Sequence, residues 1–231
     1  MSLKGKTALV TGGTGALGSV VVERFLREGM NVAASTQKTE TETIRKEGTP
    51  LLIRADVADE FEVRNLFDKV LRRYKTLDIV VNTVGGFLPT RPITEVSVAD
   101  WEKMMSMNLK TAFLCTREAL RRMKGRSYGR IVNISAMVGL QPSPGKAPYA
   151  ISKAGVSLLT DITAREIKGS GITVNAIAPS IIATAANKSS MPDEDFNKWV
   201  TPESIAETIC YLCSESGGSI NGTTIRAYGG L

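Results

Sequence analysis

Tyr149 and Lys153 are the residues whose types and spacing most clearly suggest chemistry. They are separated by one helical turn, so on a helix both side chains project from the same face. A tyrosine hydroxyl, with a usual pKa of about 10, is a poor acid–base group at neutral pH unless a nearby cation favours its phenolate form. The lysine ammonium supplies such a cation. The pair therefore predicts proton transfer at the tyrosine oxygen.

A glycine-rich turn near the amino terminus predicts a phosphate site. Residues 11–18, which read TGGTGALG, join a predicted strand, Lys6–Val10, to a predicted helix, Ala16–Glu28. Glycines allow a tight turn in which backbone amides approach a pyrophosphate, and the start of the helix adds a partial positive charge. We expect a dinucleotide to contact this turn at Gly12, Thr14, Ala16, Leu17 and Gly18.

The elements that must position these residues follow an alternating pattern. Short runs rich in Val and Ile alternate with longer segments of helical period, which is typical of βαβ units. We predict one domain over residues 1–231, an α/β fold with a doubly wound, mostly seven-stranded parallel sheet and helices on both faces. The remaining predicted strands are Asn31–Ser35, Leu51–Arg54, Leu77–Val81, Arg130–Ile134, Thr173–Ile177 and Thr223–Ile225, and the remaining helices are Val63–Tyr74, Trp101–Met123, Tyr149–Lys168 and Pro202–Ser214.

Composition excludes several classes of protein. The 29 basic residues exceed the 23 acidic ones by 6, but they are scattered along the chain, and we predict no nucleic-acid binding. Cys210 and Cys213 have no second cysteine pair and no histidine to complete a metal site, so we predict no metal. No run approaches the roughly 20 apolar residues of a membrane span, and we expect a cytoplasmic protein with no membrane partner.

Several motifs, taken in order, resemble those of the short-chain dehydrogenase/reductase family. The turn at residues 11–18 matches the family's T-G-x-x-x-[A/G]-x-G pattern, with Ala16 at its middle position, and Tyr149 and Lys153 match Y-x-x-x-K. Other segments match its adenine-side D-V pair, its N-N-A-G segment, its asparagine, and its N-A-I-A-P segment with a following threonine. These are Asp56-Val57, Asn82–Gly85, Asn108, Asn175–Pro179 and Thr184.

This resemblance implies a Rossmann-like fold and an NAD(P)-dependent oxidoreductase. The reaction would transfer hydride between the nicotinamide and a small carbonyl, alcohol or imine-like substrate, with Tyr149 as proton donor or acceptor, Lys153 serving both the tyrosine and the cofactor ribose, and Asn108 as a third member. Further cofactor contacts implied are Asp56, Val57, Asn82, Gly85, Pro179, Ile182 and Thr184. The family also implies a homodimer or homotetramer built through the helices at Trp101–Met123 and Tyr149–Lys168.

The sequence departs from the family at the serine that usually completes the catalytic set. Ala136 stands at that position, and Ser135 is one residue away, a step that turns a side chain to the opposite face of a strand. Three explanations stay open: a bulge re-aims Ser135, Ser143 in the next loop substitutes, or the reaction needs no hydroxyl. The third agrees with a narrower resemblance of residues 15–19, 85–87 and 190–199 to dihydropteridine reductases, whereas the central part resembles 3-oxoacyl-carrier-protein reductases. A catalytically weak dinucleotide-binding sensor or structural protein is the alternative from another class.

Cofactor choice and substrate contacts depend on two further groups of residues. The second strand ends without the carboxylate that would repel a 2′-phosphate, and Ser35, Thr36 and Lys38 offer hydroxyls and a cation instead, which favours NADP over NAD. Aromatic residues on the loops near the nicotinamide are expected either to hold a flat substrate or to fill the core. They are Phe87, Phe196 and Trp199.

Overall fold

A computed structural model describes residues 3–37 and 48–231. Its seven strands form one parallel sheet in the order β3-β2-β1-β4-β5-β6-β7, which confirms the predicted fold class. The strands are β1 Thr7–Thr11, β2 Asn31–Thr36, β3 Leu51–Arg54, β4 Ile79–Asn82, β5 Gly129–Ile134, β6 Ile172–Pro179 and β7 Thr224–Ala227.

Helices connect the strands and cover both faces of the sheet. The α-helices are α1 Ala16–Arg27, α2 Glu60–Tyr74, α3 Val98–Met104, α4 Thr111–Met123, α5 Met137–Leu140, α6 Ala147–Glu166, α7 Ala185–Ser190 and α8 Pro202–Cys213. Within the described residues, no helix combines the length and the apolar character needed to cross a membrane.

The predicted helix Trp101–Met123 differs most from the observed structure. It begins at Val98, after the Ser97 side chain accepts a hydrogen bond from the Asp100 amide, and it is interrupted by a π-helical segment, Met105–Lys110, between α3 and α4. A π-helical turn inserts extra backbone into a helix and is common at functional sites. Hydrophobic period alone does not reveal this widening.

Two apolar layers hold the helices to the sheet. Phe25 of α1 and Ile205 of α8 are fully buried against one face, and Phe67 of α2 and Leu114 of α4 are buried against the other. Helices on both faces explain why the strands are apolar on both sides rather than alternating.

Sheet order places a crevice between two central strands. The chain runs outward through β1, β2 and β3 and then returns to place β4 on the other side of β1. In open α/β sheets, ligands bind outside the carboxyl ends of the strands where the winding direction reverses. The glycine turn after β1 and the residues after β4 both lie at this point.

Candidate active site

The glycine turn after β1 has a backbone conformation that leaves no room for a Cβ atom at two of its positions. Gly12 has a φ of 65°. A Cβ at Gly13 would lie 2.5 Å from Ala34 Cβ, and a Cβ at Gly18 would lie 2.2 Å from the Gly12 carbonyl oxygen. Both distances are far inside van der Waals contact. The backbone therefore packs against itself and against β2, as a pyrophosphate-binding turn requires.

Hydroxyl groups at the end of β2 form hydrogen bonds with this turn. The Gly12 amide donates to Ser35 Oγ at 2.9 Å, and Thr14 Oγ1 donates to Thr36 Oγ1 at 3.2 Å. Ser35 and Thr36 are each only 2% exposed. Their hydroxyls thus support the turn, and the expected contact of Ser35 and Thr36 with the cofactor stays a prediction. Lys38 lies outside the described residues.

The residues predicted to contact the adenine follow the end of β3. Val57 is buried, and the exposed Asp56 accepts a hydrogen bond from the Ala58 amide at 2.9 Å. Arg54 is the last residue of β3, is exposed, and is in register with Thr36 on β2. Sequence reasoning overlooked Arg54. Its basic character two positions before Asp56 is the signal that could have found it.

Asn82, at the end of β4, belongs to a buried polar network. Its Nδ2 donates to Asn133 Oδ1 at 2.8 Å and to Thr116 Oγ1 at 3.3 Å, and Asn133 Nδ2 donates to Thr160 Oγ1 at 3.0 Å. The network joins β4, β5, α4 and α6. The amide nitrogen of Asn82 thus links the strands and helices that carry the predicted catalytic residues.

Gly85 lies against two of the predicted catalytic side chains. A Cβ there would stand 2.8 Å from Asn108 Oδ1 and 2.9 Å from Lys153 Nζ. A larger residue at this position would displace one of them. Gly85 therefore leaves the space in which Asn108 and Lys153 approach the loop after β4.

Asn108 is positioned by the π-helical segment and is 1% exposed. Its Oδ1 accepts from the Gly86 amide and its Nδ2 donates to the Gly86 carbonyl, both at 3.0 Å. Nδ2 also donates to Ser152 Oγ at 3.1 Å. One side chain therefore ties the loop after β4 to helix α6, which carries Tyr149 and Lys153.

Burial shifts the pKa values of both members of the Tyr149–Lys153 pair. It raises the pKa of Tyr149 to about 12 and lowers the pKa of Lys153 to about 8. The lysine is 4% exposed, and its Nζ donates to the Ile134 carbonyl at 2.9 Å. At neutral pH the phenol carries its proton and the amine is largely an ammonium, so the pair can donate a proton and stabilise the phenolate that remains.

Ser135 does not turn into this site. Its Oγ donates to the Lys153 carbonyl at 2.8 Å and accepts from Ser157 Oγ at 2.9 Å, and the residue is 1% exposed. No bulge re-aims it, because β5 stays in register with β6 through Ile134. Ala136 is the residue packed beside Tyr149, and Ser143 is exposed in the next loop.

Comparisons with known proteins identify the family. The family model described as short chain dehydrogenase matches residues 6–195. The chain belongs to the short-chain dehydrogenase family. It is an NAD(P)-dependent oxidoreductase of that family, and its fold, its cofactor turn and its Tyr–Lys pair agree with that membership.

Three relatives indicate how closely this dehydrogenase resembles characterised proteins. It is 34% identical to the 3-oxoacyl-[acyl-carrier-protein] reductase FabG of Staphylococcus aureus (strain Mu50), with 98% of each chain covered. It is 33% identical to glucose 1-dehydrogenase 2 of Bacillus subtilis (strain 168), covering 99% of this chain and 95% of the relative. A solved structure of ElxO with NADP bound superimposes with a TM-score of 0.90 at 29% identity, covering 98% of each chain.

The segment after β6 carries the residues that are predicted to contact the nicotinamide of the dehydrogenase cofactor. Ile182 pairs with Val200, and Thr184 is the N-cap of α7, where its Oγ1 accepts from the Asn187 amide at 3.2 Å. Pro179 is the last residue of β6. The predicted nicotinamide-side residues Pro179, Ile182 and Thr184 thus lie together in one short segment at the carboxyl end of the sheet.

The predicted substrate aromatics divide into two groups. Phe87 is 63% exposed, and its ring centroid lies 6.2 Å from that of Tyr149. Trp199 is 4% exposed and packs against Phe196 with ring centroids 4.8 Å apart. Phe87 is therefore available to a substrate at Tyr149, whereas Trp199 fills the interior, the second of the two expectations for these residues.

Proposed function

We propose that this enzyme reduces a carbonyl or imine-like group of a small substrate, with NADPH as hydride donor and Tyr149 as proton donor. The observation that supports this most directly is the clustering of Tyr149, Lys153 and Asn108 at the crevice, with a neutral phenol beside a buried ammonium. NADPH supplies the hydride when it is bound. The electron pair of the substrate double bond then moves to its oxygen or nitrogen, which takes the proton of Tyr149.

Each residue of the cluster has a distinct part in this step. Lys153 stabilises the Tyr149 phenolate as the proton leaves, because its charge is held in a low-dielectric interior. Asn108 positions both, since it bonds Ser152 Oγ, and that hydroxyl donates to the Tyr149 carbonyl at 2.8 Å. Asn108 is thus a positioning residue that fixes the first turn of α6 relative to the loop after β4.

The preference for NADPH over NADH is supported by charge at the ends of β2 and β3. Within the described residues, β2 ends on Thr36 without a carboxylate that would repel a 2′-phosphate. Arg54 is exposed and in register with Thr36, whose hydroxyl bonds Thr14 of the glycine turn. A guanidinium there can bind a phosphate in bidentate fashion. The ElxO relative, which has NADP bound, agrees with this preference.

Replacement of Tyr149 tests the proposed function. Tyr149→Phe removes the proton donor and keeps the ring, so kcat for NADPH oxidation should fall by about 10²–10⁴-fold. The dissociation constant of NADPH, followed by its fluorescence, should change by less than about threefold, because the phenol oxygen is a small part of that interface. Undiminished turnover in this variant would refute Tyr149 as the proton donor. A wild-type chain that binds NADPH but reduces no carbonyl or imine would instead favour the sensor or structural function.

Ala136 supports a second candidate, reduction of an imine-like quinonoid pterin. Such a substrate forms no simple ketone oxyanion, so it needs no hydroxyl to polarise a carbonyl, and Ala136 places a methyl group beside Tyr149. Ala136→Ser adds that hydroxyl. A gain of tenfold or more in kcat/KM on ketones, without a gain on quinonoid dihydropteridine, would indicate that the native substrate is not a simple ketone. An unchanged ketone rate would favour ordinary ketone reduction without the serine.

We further propose a homodimer or homotetramer built on α3, α4 and α6, as the family resemblance implies. Trp101 and Phe113 are 37% and 40% exposed, and they line an open groove of about 620 Å³ together with Leu109 and Leu159. Exposed apolar patches of this kind mark interaction surfaces. Sedimentation of the wild type should show an oligomer, and Phe113→Glu should shift it toward the monomer. A monomeric wild type would refute the assembly.

A further inference from the structure

A small cavity lies beside Tyr149, between the loop after β4 and the loop that leads into α6. Its volume is about 40 Å³, and Tyr149, Pro148 and Met104 form its inner walls. A cavity needs about 10–15 Å³ of water-accessible space to hold one water molecule, so this one has room for a small polar group such as a carboxylate.

The two loops that form the cavity are held in fixed relative positions. The Arg91 amide donates to the Gly145 carbonyl at 2.9 Å. Gly145 has a φ of 78°, and a Cβ there would lie 2.2 Å from Thr90 Cγ2. This close packing fixes the separation of Arg91 from Lys146, the residue that follows Gly145.

Charge at the cavity is predominantly positive. Arg91 and Lys146 line it, and Asp100 is the one carboxylate among its lining residues. Arg91 Nη1 is 4.0 Å from Asp100 Oδ2, which is longer than a hydrogen-bonded ion pair, and the Arg91 side chain is 53% exposed. Asp100 also lies in the first turn of α3, where the helix dipole already stabilises its charge. The guanidinium therefore keeps donors free for a second anion.

We propose that the native substrate carries a carboxylate, which Arg91 and Lys146 bind while Tyr149 protonates the reducible group. This inference rests on the proposed reductase function and deepens it by naming the substrate class, a small oxo acid. Bidentate binding by an arginine orients a carboxylate as well as holding it. With Phe87 exposed on the ring side of Tyr149, the carboxylate end and the apolar end of the substrate have separate walls.

Three pairs of probes, each a carboxylate and the same molecule with its charge removed by a methyl ester, test the inference. They are pyruvate, acetoacetate and levulinate, each compared with its methyl ester, because the spacing of carboxylate and ketone is not fixed by the cavity. With NADPH, at least one acid should exceed its ester in kcat/KM by about tenfold. Arg91→Ala and Lys146→Ala should each remove most of that difference by lowering the value for the acid, and the value for the ester should change by less than twofold.

The matched control removes a cation far from the cavity. Arg72 is exposed in the last turn of α2, at the opposite edge of the sheet, so Arg72→Ala should leave the acid-to-ester ratio unchanged. Asp100→Asn should raise the ratio, because it removes the competing anion. Acids that do not exceed their esters in any pair, or a preference that survives both Arg91→Ala and Lys146→Ala, would overturn the inference.

A binding measurement separates this inference from the proposed function. Tyr149→Phe with NADPH bound is titrated with the same six probes, and binding is read from the NADPH fluorescence. Tighter binding of an acid than of its ester, lost on adding Arg91→Ala, supports the carboxylate site even if the wild type reduces none of the probes. In that case the reductase function fails while the site stands. Equal binding of acids and esters refutes the site.

Discussion

The glycine turn and the proposed catalytic cluster lie at the same edge of the sheet, but the first is built from backbone and the second from side chains. The turn at residues 11–18 consists of backbone packed so closely that Gly13 and Gly18 have no room for a Cβ. The proposed catalytic cluster consists of side chains: buried hydrogen bonds hold Asn108 and Lys153, and Tyr149 packs beside Ala136. The first depends on shape and the second on polar partners. We therefore expect substitutions in the turn to weaken NADPH binding and substitutions in the cluster to lower kcat.

Adding one methyl group to the turn should have the largest effect. Gly18→Ala places a Cβ 2.2 Å from the Gly12 carbonyl oxygen, so the turn must open. NADPH should bind at least about 100-fold more weakly, and the free energy of unfolding should fall by about 1–3 kcal/mol. NADPH fluorescence titration and urea unfolding measure the two effects.

Gly15→Ala is the control for this change. Its Cβ would lie 3.2 Å from the same oxygen, and its backbone φ is −79°, so a small shift accommodates it. Loss of NADPH binding in Gly15→Ala as severe as in Gly18→Ala would show that the turn is sensitive to any side chain. The proposed steric specificity of Gly18 would then be wrong.

Removal of one polar side chain should damage the catalytic cluster while cofactor binding survives. Asn108→Ala leaves the amide and carbonyl of Gly86 without a side-chain partner and frees Ser152 Oγ. The unfolding free energy should fall by about 1–3 kcal/mol and kcat by about 30–100-fold, with the pH profile of kcat also altered. Asn197→Ala, at an exposed position, is the control. A change in KM alone would contradict the positioning role.

The lowered pKa of Lys153 should appear in the pH dependence of reduction. Its ammonium is present below about pH 8 and is lost above it, while Tyr149, with a pKa of about 12, keeps its proton throughout this range. The kcat/KM for reduction should therefore be level near pH 7 and fall about tenfold per unit well above pH 8. In Lys153→Arg the cation persists, so a fall at the same pH in that variant would assign the titration to another group.

The smallest effect is expected at the adenosine end of the crevice. Arg54→Ala should weaken NADPH binding by about threefold to tenfold, because an exposed charge in water contributes little more. NADH binding should be unchanged, and the gap between wild type and variant should narrow as salt is raised. Arg72→Ala serves as the control. Equal loss for both cofactors would show that Arg54 does not distinguish them.

Sequence reasoning predicted the fold and the centre of the site but not the details that side-chain packing decides. The alternation of strands and helices predicted the order of the elements, because βαβ units allow few topologies. The glycine turn was identified because its backbone conformation requires glycine. Ser35 and Trp199 were uncertain because a hydroxyl or an indole near a crevice can face either inward or outward. The sequence offers no sign of which face the packing buries. Arg91 and Lys146, which we propose to bind the substrate, were not singled out because they are 55 positions apart in the chain and line the same cavity only where two loops join.

The π-helical segment Met105–Lys110 has a consequence for how this chain tolerates changes in length. Successive residues of a helix are about 100° apart around its axis, so deleting one residue here would convert the segment to regular α-helix and rotate everything before it relative to α4. Asn108 would then leave its place between Gly86 and Ser152. An insertion or deletion within these six residues should therefore displace Asn108, although surface loops tolerate such changes in length.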